Sequence, residues 1–124
     1  MYASNFSVGM DLFFKLNKKL TELMQGREQY QPSIKEIHHT HKLDSPSGTA
    51  IKLTEHMQGE VNIKSERIGE IPGTHIITYH SDSDSIEIKH EAHNRQGFAI
   101  GAILAAEWIK DKKGIFSMSD MLNL

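Results

Sequence analysis

The sequence has 124 residues, with 14 lysines and arginines against 16 aspartates and glutamates and no cysteine. This length predicts one domain with a modest core, and the near balance of charge argues against nucleic acid as the main partner. Without cysteine there are neither disulfides nor thiolate chemistry, which fits a cytoplasmic location. The longest apolar run, residues 98–106, is too short to span a bilayer, and the first residues lack signal-peptide features. We therefore expect a soluble protein with no membrane partner.

The first predicted element is an amphipathic helix over residues 8–25. Its apolar side chains recur at helical spacing: Val8, Leu12, Phe13, Leu16, Leu20, Leu23 and Met24. Ser7 is placed to cap this helix, and Gly26 to end it. We expect the apolar stripe to face the core.

A strand, a polar loop and a second helix follow. Ser33 to Ile37 alternates polar and apolar residues, which predicts a half-buried strand. Residues 50–57 are good helix formers, and the helix should end near Gly59. Between them, the loop concentrates imidazoles and an ammonium and then reaches a small polar turn: His38, His39, His41 and Lys42, then Ser47, Gly48 and Thr49.

This loop combines proton donors with a candidate anion-binding site. The first turn of a helix has free backbone N–H groups and partial positive charge, which together hold carboxylates or phosphates. Imidazoles and lysine exchange protons near neutral pH. The pattern favours chemistry on a small acidic molecule, while the simpler alternative for the turn is an ordinary helix cap. A zinc site on the three histidines is a further alternative, although neighbouring residues of an extended segment point to opposite faces.

The second half of the chain predicts strands and then an unusual helix. Residues 61–71 read as a strand, Pro72 and Gly73 as a turn, and residues 74–80 and 85–93 as an antiparallel hairpin. Residues 96–110 form a helix that is apolar almost all round, which requires cover from another domain or subunit. We expect Phe98, Ile103 and Trp108 to be covered by another chain. The Gly97 to Gly101 spacing permits close backbone approach.

The loop carries a specific resemblance. The run Glu36 to Ala50 (EIHHTHKLDSPSGTA) resembles the signature of the 4-hydroxy-tetrahydrodipicolinate reductase (dihydrodipicolinate reductase) family of bacterial lysine and diaminopimelate biosynthesis. Further segments agree in the same order: residues 3–9, 67–75, 93–102 and 114–118. The resemblance covers nearly the whole chain, but the dinucleotide-binding domain with which the family begins is missing. Because Met1 directly precedes a segment that normally lies mid-chain, we expect a truncated form.

The resemblance implies a fold, an assembly and a reaction. The fold is α+β, a mixed and mostly antiparallel sheet with helices on one side, oligomerising through the sheet into a homotetramer. Residues 1–124 would be the substrate-binding and oligomerisation domain, with residues from about 96 to 124 packing against the absent domain. The full-length enzyme would reduce a small cyclic dicarboxylate with NADH or NADPH in the cytoplasm, whereas this chain alone should be inactive.

The resemblance also implies roles for individual residues. The catalytic pair would be His38, as acid–base residue, and Lys42, as proton donor. The substrate would contact His39, Ser47, Gly48 and Thr49, and the nicotinamide would lie beside Ala3, Ser4, Asn5 and Phe6. No metal is implied. We expect His41 to be structural or solvent-facing and Asp44 to brace the loop or cap the turn. For His75, His80, His90 and His93 we expect packing or interface roles.

Two matters stay open in the sequence. Arg95 could clamp a carboxylate or pair with an acidic side chain. The chain as a whole could also be a binding or scaffold module that keeps the fold without the activity, or a metal-dependent hydrolase with zinc on His38, His39 or His41.

Overall fold

The computed structural model describes residues 1–3 and 5–124, so the predicted cofactor contact of Ser4 lies outside the described residues. Within them, helices and strands follow one another in this order: α1 (Val8–Met24), β1 (Gln31–His38), α2 (Gly48–Thr54), β2 (Asn62–Arg67), β3 (Gly73–His80), β4 (Ser85–Ala92), α3 (Gln96–Ile109) and α4 (Met118–Leu122). None of these helices has the length and apolar character that crossing a membrane requires.

The strands form one sheet in the order β2-β1-β3-β4. The β1–β2 pair is parallel, and the β1–β3 and β3–β4 pairs are antiparallel. This confirms the predicted α+β fold with a mixed, mostly antiparallel sheet. The predicted hairpin is confirmed as β3 and β4. The strand predicted over residues 61–71 is confirmed in its first part, as β2, and ends earlier than expected.

The helices cover one face of this sheet, as predicted. Alternate residues of β1 and β3, such as Ile34 and Ile77, are buried there against α1 and α2. The core comprises Met10, Phe13, Leu20, Ile34, Ala50, Leu53, Met57, Ile77 and Tyr79. The opposite face mixes charged and apolar side chains, such as Lys35, Ile37 and Ile76, and no helix packs on it among the described residues.

Helix α1 confirms the predicted span, and Phe13 and Leu20 of the predicted apolar stripe lie in the core. Leu12, Leu16 and Leu23 are largely exposed, so the prediction that they belong to the core is wrong. The buried face instead includes two polar residues. Asn17 donates its amide N–H to the carbonyl of Leu53, and the Thr21 hydroxyl lies 3.2 Å from that of Tyr79. The hydrogen bonds of the Asn17 N–H and the Thr21 hydroxyl reduce the cost of burying these two residues, and hydropathy alone does not predict them.

Helix α2 begins at Gly48 and ends at Thr54, which is earlier than the predicted end near Gly59. Its cap is Ser47, whose side-chain oxygen accepts a hydrogen bond from the Ala50 N–H at 3.1 Å. At the other end of the chain, the predicted apolar helix is confirmed as α3.

Helix α3 touches the rest of the protein along a narrow strip. Gly101 and Ala105 are its buried residues, and a Cβ added to Gly101 would overlap the carbonyl oxygen of Phe6. The close approach predicted from the glycine spacing therefore occurs at Gly101, whereas a Cβ on Gly97 would meet nothing within 4 Å. Ile103 is 59% exposed, so the cover predicted for it would have to come from another domain or chain. Trp108 is half-buried by its edge-on contact with Phe116.

Candidate active site

A cleft of about 760 Å³ opens where β1 ends. Its floor comes from the end of β1 and the loop that follows, one wall from the start of α2, and the other wall from the start of α3 and the segment before α1. The fold thus brings together side chains that are far apart in the sequence. The predicted residues that line the cleft are His38, His39, Lys42, Gly48, Thr49 and Asn5.

Two further cations line the same cleft. Arg95 lies just before α3, and Lys52 on α2 places its ammonium 4.7 Å from the centre of the Phe14 ring. Phe98 and Ala99 add apolar surface from α3. A cleft with several cationic groups and some apolar wall suits a small, partly apolar anion.

Three predicted site residues do not line this cleft. Ser47 lies behind it, 1% exposed, with its oxygen engaged in capping α2, so the geometry assigns Ser47 to the cap. Ala3 lines a neighbouring cavity of about 380 Å³ together with Asn5. Phe6 is half-buried and contributes the carbonyl that contacts Gly101. Their roles toward substrate and cofactor stay predictions.

A buried carboxylate lies under the floor of the cleft. Glu36 is 0% exposed, and its Oε1 lies 2.8 Å from the Nη1 of Arg67. Its Oε2 accepts a hydrogen bond from the backbone N–H of Ser47 at 3.2 Å and lies 3.3 Å from Nδ1 of His38. His75 lies on the next strand, with its ring 5.0 Å from that of His38 and nearly perpendicular to it. Glu36 therefore links three strands and the start of α2.

The environment of this cluster shifts three pKa values. For Glu36, burial by itself raises the pKa, but hydrogen bonds from Ser47, Arg67 and Ser65 outweigh it and lower the pKa overall. Burial lowers the pKa of His38; Glu36 opposes this shift, and the positive charges of Lys42 and Arg67 add to it. Burial, followed by His38, lowers the pKa of His75 to about 4. At neutral pH the cluster thus contains a carboxylate and neutral imidazoles.

Asp44 already neutralises one of the cleft's cations. Its carboxylate lies 3.2 Å from the ammonium of Lys42, and this contact, followed by contributions that include the Gly48 amide, lowers the pKa of Asp44. The carbonyl of Asp44 also accepts a hydrogen bond from Arg67 at 2.6 Å. The expectation that Asp44 braces the loop agrees with these contacts. Since Lys42 and the Gly48 amide already attract one carboxylate, they suit a second one on a ligand.

Sequence reasoning missed Glu36, Arg67 and His75 as parts of the site. The register makes them neighbours, because Glu36 lies opposite His75 in the β1–β3 pair, and His38 lies opposite Arg67 in the β1–β2 pair. No local pattern shows this, since it depends on which strands pair and in which register. The expectation that His41 faces solvent agrees with its exposed position.

The side chains fit a metal ion poorly. The proposed zinc set of His38, His39 and His41 does not converge: His38 is buried and His41 is exposed. Ligand atoms of Glu36, His38 and His75 do lie within 4.8 Å of one another. However, Arg67 and the Ser47 amide already engage that carboxylate, and a guanidinium beside it opposes a cation. We assign Glu36 to its ion pair with Arg67 and to the hydrogen bond from the Ser47 amide.

A whole dinucleotide does not fit the described residues either. Residues 5–7 lead directly into α1, and the parallel pair β1–β2 has a crossover helix that begins with the lone glycine Gly48. A dinucleotide pyrophosphate usually needs a glycine-rich turn between a strand and a helix. The turn before α2 suits a single carboxylate better than a pyrophosphate.

Comparisons with known proteins agree with this geometry. The family model described as dihydrodipicolinate reductase, C-terminus, matches residues 9–122. The chain is similar to the 4-hydroxy-tetrahydrodipicolinate reductase of Christiangramia forsetii, at 50% identity over 99% of this chain and 58% of that protein. The corresponding protein of Thermosipho africanus is 41% identical over 95% of this chain and 54% of its own length. The chain thus spans about half the length of the curated relatives it matches.

A solved structure has the same fold. The dipicolinate-bound dihydrodipicolinate reductase from Paenisporosarcina sp. TG-14 superposes with a TM-score of 0.71, over 95% of this chain and 52% of that one. Its sequence identity is 23%, so this likeness shows the fold alone.

Proposed function

This chain belongs to the dihydrodipicolinate reductase family, in its C-terminal part, and from that premise we propose that it is the substrate-binding portion of an NAD(P)H-dependent 4-hydroxy-tetrahydrodipicolinate reductase of lysine and diaminopimelate biosynthesis. One observation carries the proposal: a single cleft gathers His38, His39, Lys42, Gly48 and Thr49. These residues come from three parts of the fold, and together they supply imidazoles, an ammonium and backbone amides to one small volume.

The ligand that this cleft fits is a small cyclic dicarboxylate. The Paenisporosarcina enzyme is described as dipicolinate bound, and dipicolinate is a pyridine ring with carboxylates at positions 2 and 6. In this chain, the Gly48 amide and the Thr49 amide and hydroxyl would hold one carboxylate. Arg95 and Lys52, on the opposite walls, are placed to attract the second. The apolar side of Phe98 would face the ring.

The remaining residues handle protons. His38, a neutral imidazole at the floor, would act as the acid–base residue, and His39 would contact the substrate. Lys42 would donate the proton that completes the reduction and would stabilise negative charge developing on the substrate. A bound nicotinamide cofactor, NADH or NADPH, supplies the hydride in this class of reaction. We propose that this requires a nucleotide-binding domain outside the present sequence, so that the chain alone binds dicarboxylate without turnover.

Assembly and location extend the same proposal. The uncovered sheet face carries Ile37 and Ile76 among charges of both signs, which suits contact with a second copy of the chain and supports a homotetramer. The exposed apolar side chains of α3, such as Ile100 and Ile103, would pack against the nucleotide-binding domain or another chain. We place the enzyme in the cytoplasm, where its cofactors are found.

Calorimetric titration with pyridine-2,6-dicarboxylate tests the binding part of the proposal. The wild-type chain should bind, and Lys42→Met should weaken binding about tenfold. A charge-assisted hydrogen bond contributes about 1.5–3 kcal/mol, and about 1.4 kcal/mol corresponds to a factor of ten. The lower end applies because the ligand must first displace Asp44 from Lys42.

The matched control is Lys64→Met, since Lys64 lies exposed on β2, on the face of the sheet opposite to the cleft. It should bind like the wild type. No binding by the folded wild-type chain at millimolar ligand would favour the scaffold alternative. Rapid NADPH oxidation by the purified chain would contradict the proposed need for a further domain.

A further inference from the structure

Glu36 has contacts that packing alone does not explain. It is a completely buried carboxylate, which is costly unless hydrogen bonds and opposite charge compensate it. Arg67, the Ser47 amide and His38 all approach it, from β2, from the start of α2 and from β1 respectively. A carboxylate that served only to pair with Arg67 would not need its second oxygen between an amide and an imidazole.

One nitrogen of the His38 imidazole lies beside Glu36. Nδ1 is buried and forms no hydrogen bond within the described chain, and Oε2 of Glu36 lies 3.3 Å from it. The other ring nitrogen, Nε2, faces Gly73, which has no side chain. A Cβ on Gly73 would lie 3.1 Å from that nitrogen. The glycine therefore leaves Nε2 uncrowded.

We propose that Glu36 is a positioning residue, which accepts a hydrogen bond from Nδ1–H of His38 and thereby presents the lone pair of Nε2 to the cleft. Its value for acid–base chemistry rests on the proposed function. Arg67 keeps the carboxylate ionised, and the Ser47 amide ties it to the helix whose first residues line the cleft. The buried Glu36 side chain thus fixes the tautomer of the His38 imidazole and its position relative to the start of α2, where the substrate would bind.

The charges around His38 are consistent with this arrangement. The groups that face it are Glu36 on its own strand, Arg67 on β2, His75 on β3, and His39 and Lys42 on the following loop. Burial lowers the pKa of His38, Lys42, Arg67 and His39 lower it further, and Glu36 alone raises it. Removing the charge of Glu36 should therefore lower the pKa of His38 still more.

Nitrogen NMR of the histidine rings in the ligand-free chain tests the proposal. The ¹⁵N shifts of a neutral imidazole distinguish the nitrogen that carries the proton from the one that does not, and the His38→Gln spectrum assigns the signal. In the wild type, neutral His38 should carry its proton on Nδ1. A proton on Nε2 would overturn the proposal. Because the tautomer is measured in the wild-type chain, this test does not depend on whether a Glu36 variant folds.

Glu36→Gln supplies the second measurement, with Glu66→Gln as the control, because Glu66 pairs with Lys35 on the opposite face of the sheet. The pKa of His38 should fall in Glu36→Gln and stay at the wild-type value in Glu66→Gln. Glu36→Asp, which keeps the charge, should return the pKa of His38 toward the wild-type value. An unchanged or raised pKa in a folded Glu36→Gln variant would contradict the proposal, as would equal shifts in both glutamine variants.

Titration with pyridine-2,6-dicarboxylate separates this inference from the proposed function. If the chain binds no dicarboxylate but His38 is protonated on Nδ1, the proposed function fails and the positioning of the ring stands. If the chain binds dicarboxylate but His38 is protonated on Nε2, the positioning role of Glu36 fails and the proposed function stands.

Discussion

Replacing Gly101 with alanine should destabilise the protein, because α3 touches the segment before α1 through this residue. A Cβ on Gly101 would overlap the Phe6 carbonyl oxygen and lie 2.7 Å from the Phe6 carbonyl carbon. Both atoms belong to the backbone and cannot rotate away as the end of a side chain would. Either α3 or the segment that carries Asn5 into the cleft must therefore move.

The size of the effect follows from two opposing contributions. Overpacking typically costs about 1–3 kcal/mol, and overlap with backbone belongs at the upper end. Alanine gains about 1 kcal/mol over glycine within a helix. The free energy of unfolding should therefore fall by about 2 kcal/mol, which corresponds to a melting temperature lower by roughly 8 °C for a domain of this size.

Urea unfolding, monitored by circular dichroism, measures the change in the free energy of unfolding. Gly97→Ala is the matched control. Gly97 lies on the same helix, and a Cβ there would meet nothing within 4 Å. That variant should be as stable as the wild type or more stable by up to about 1 kcal/mol. The free energies of unfolding of the two alanine variants should differ by more than about 0.5 kcal/mol, which is the typical error of additivity. A smaller difference would refute the contact between α3 and Phe6.

Three further predictions concern charge. Asp44→Asn should tighten pyridine-2,6-dicarboxylate binding by about two- to fivefold at low salt, because it frees the ammonium of Lys42; weaker binding in a calorimetric titration would contradict this. His75 accepts a proton near pH 6.5 in the unfolded chain but only near pH 4 in the folded chain. Its contribution to the free energy of unfolding should therefore be fully present well above pH 6.5, and that free energy should fall by about 2 kcal/mol between pH 7 and pH 5. His75→Asn should remove most of that slope in urea unfolding at the two pH values, and an unchanged slope would exclude His75 as its source. Lys52→Ala should weaken dicarboxylate binding about two- to threefold at low salt and not at 0.5 M salt, whereas Lys64→Ala should have no effect at either.

The elements were largely predictable because their signals are local. The alternation over Ser33–Ile37, the turn at Pro72 and the apolar spacing of α1 each reflect the geometry of a short piece of backbone. The face that α1 buries was predicted only in part, for a long-range reason. Asn17 and Thr21 are buried because Leu53 and Tyr79 provide partners for them, and those partners lie more than 30 residues away.

The site was predictable in part for the same reason. His38, His39, Lys42, Gly48 and Thr49 lie within one short stretch of sequence, from the end of β1 to the start of α2, so a local motif and a family resemblance together were enough to select them. The cleft they line also needs Arg95 and Asn5, which α3 and the first segment bring in from opposite ends of the chain. Those two contributions depend on the packing of α3 against the segment before α1.

By itself, the sequence determined where α1, the strands and α3 lie, where the proton-donating groups are and to which family the chain belongs. Only the tertiary structure decided that Glu36 has Arg67 and His75 as neighbours and that its carboxylate reaches His38. The physical reason is that the alternation within a strand fixes which side chains share a face, whereas the register between strands fixes which of them meet. That register results from the packing of the whole sheet against its helices.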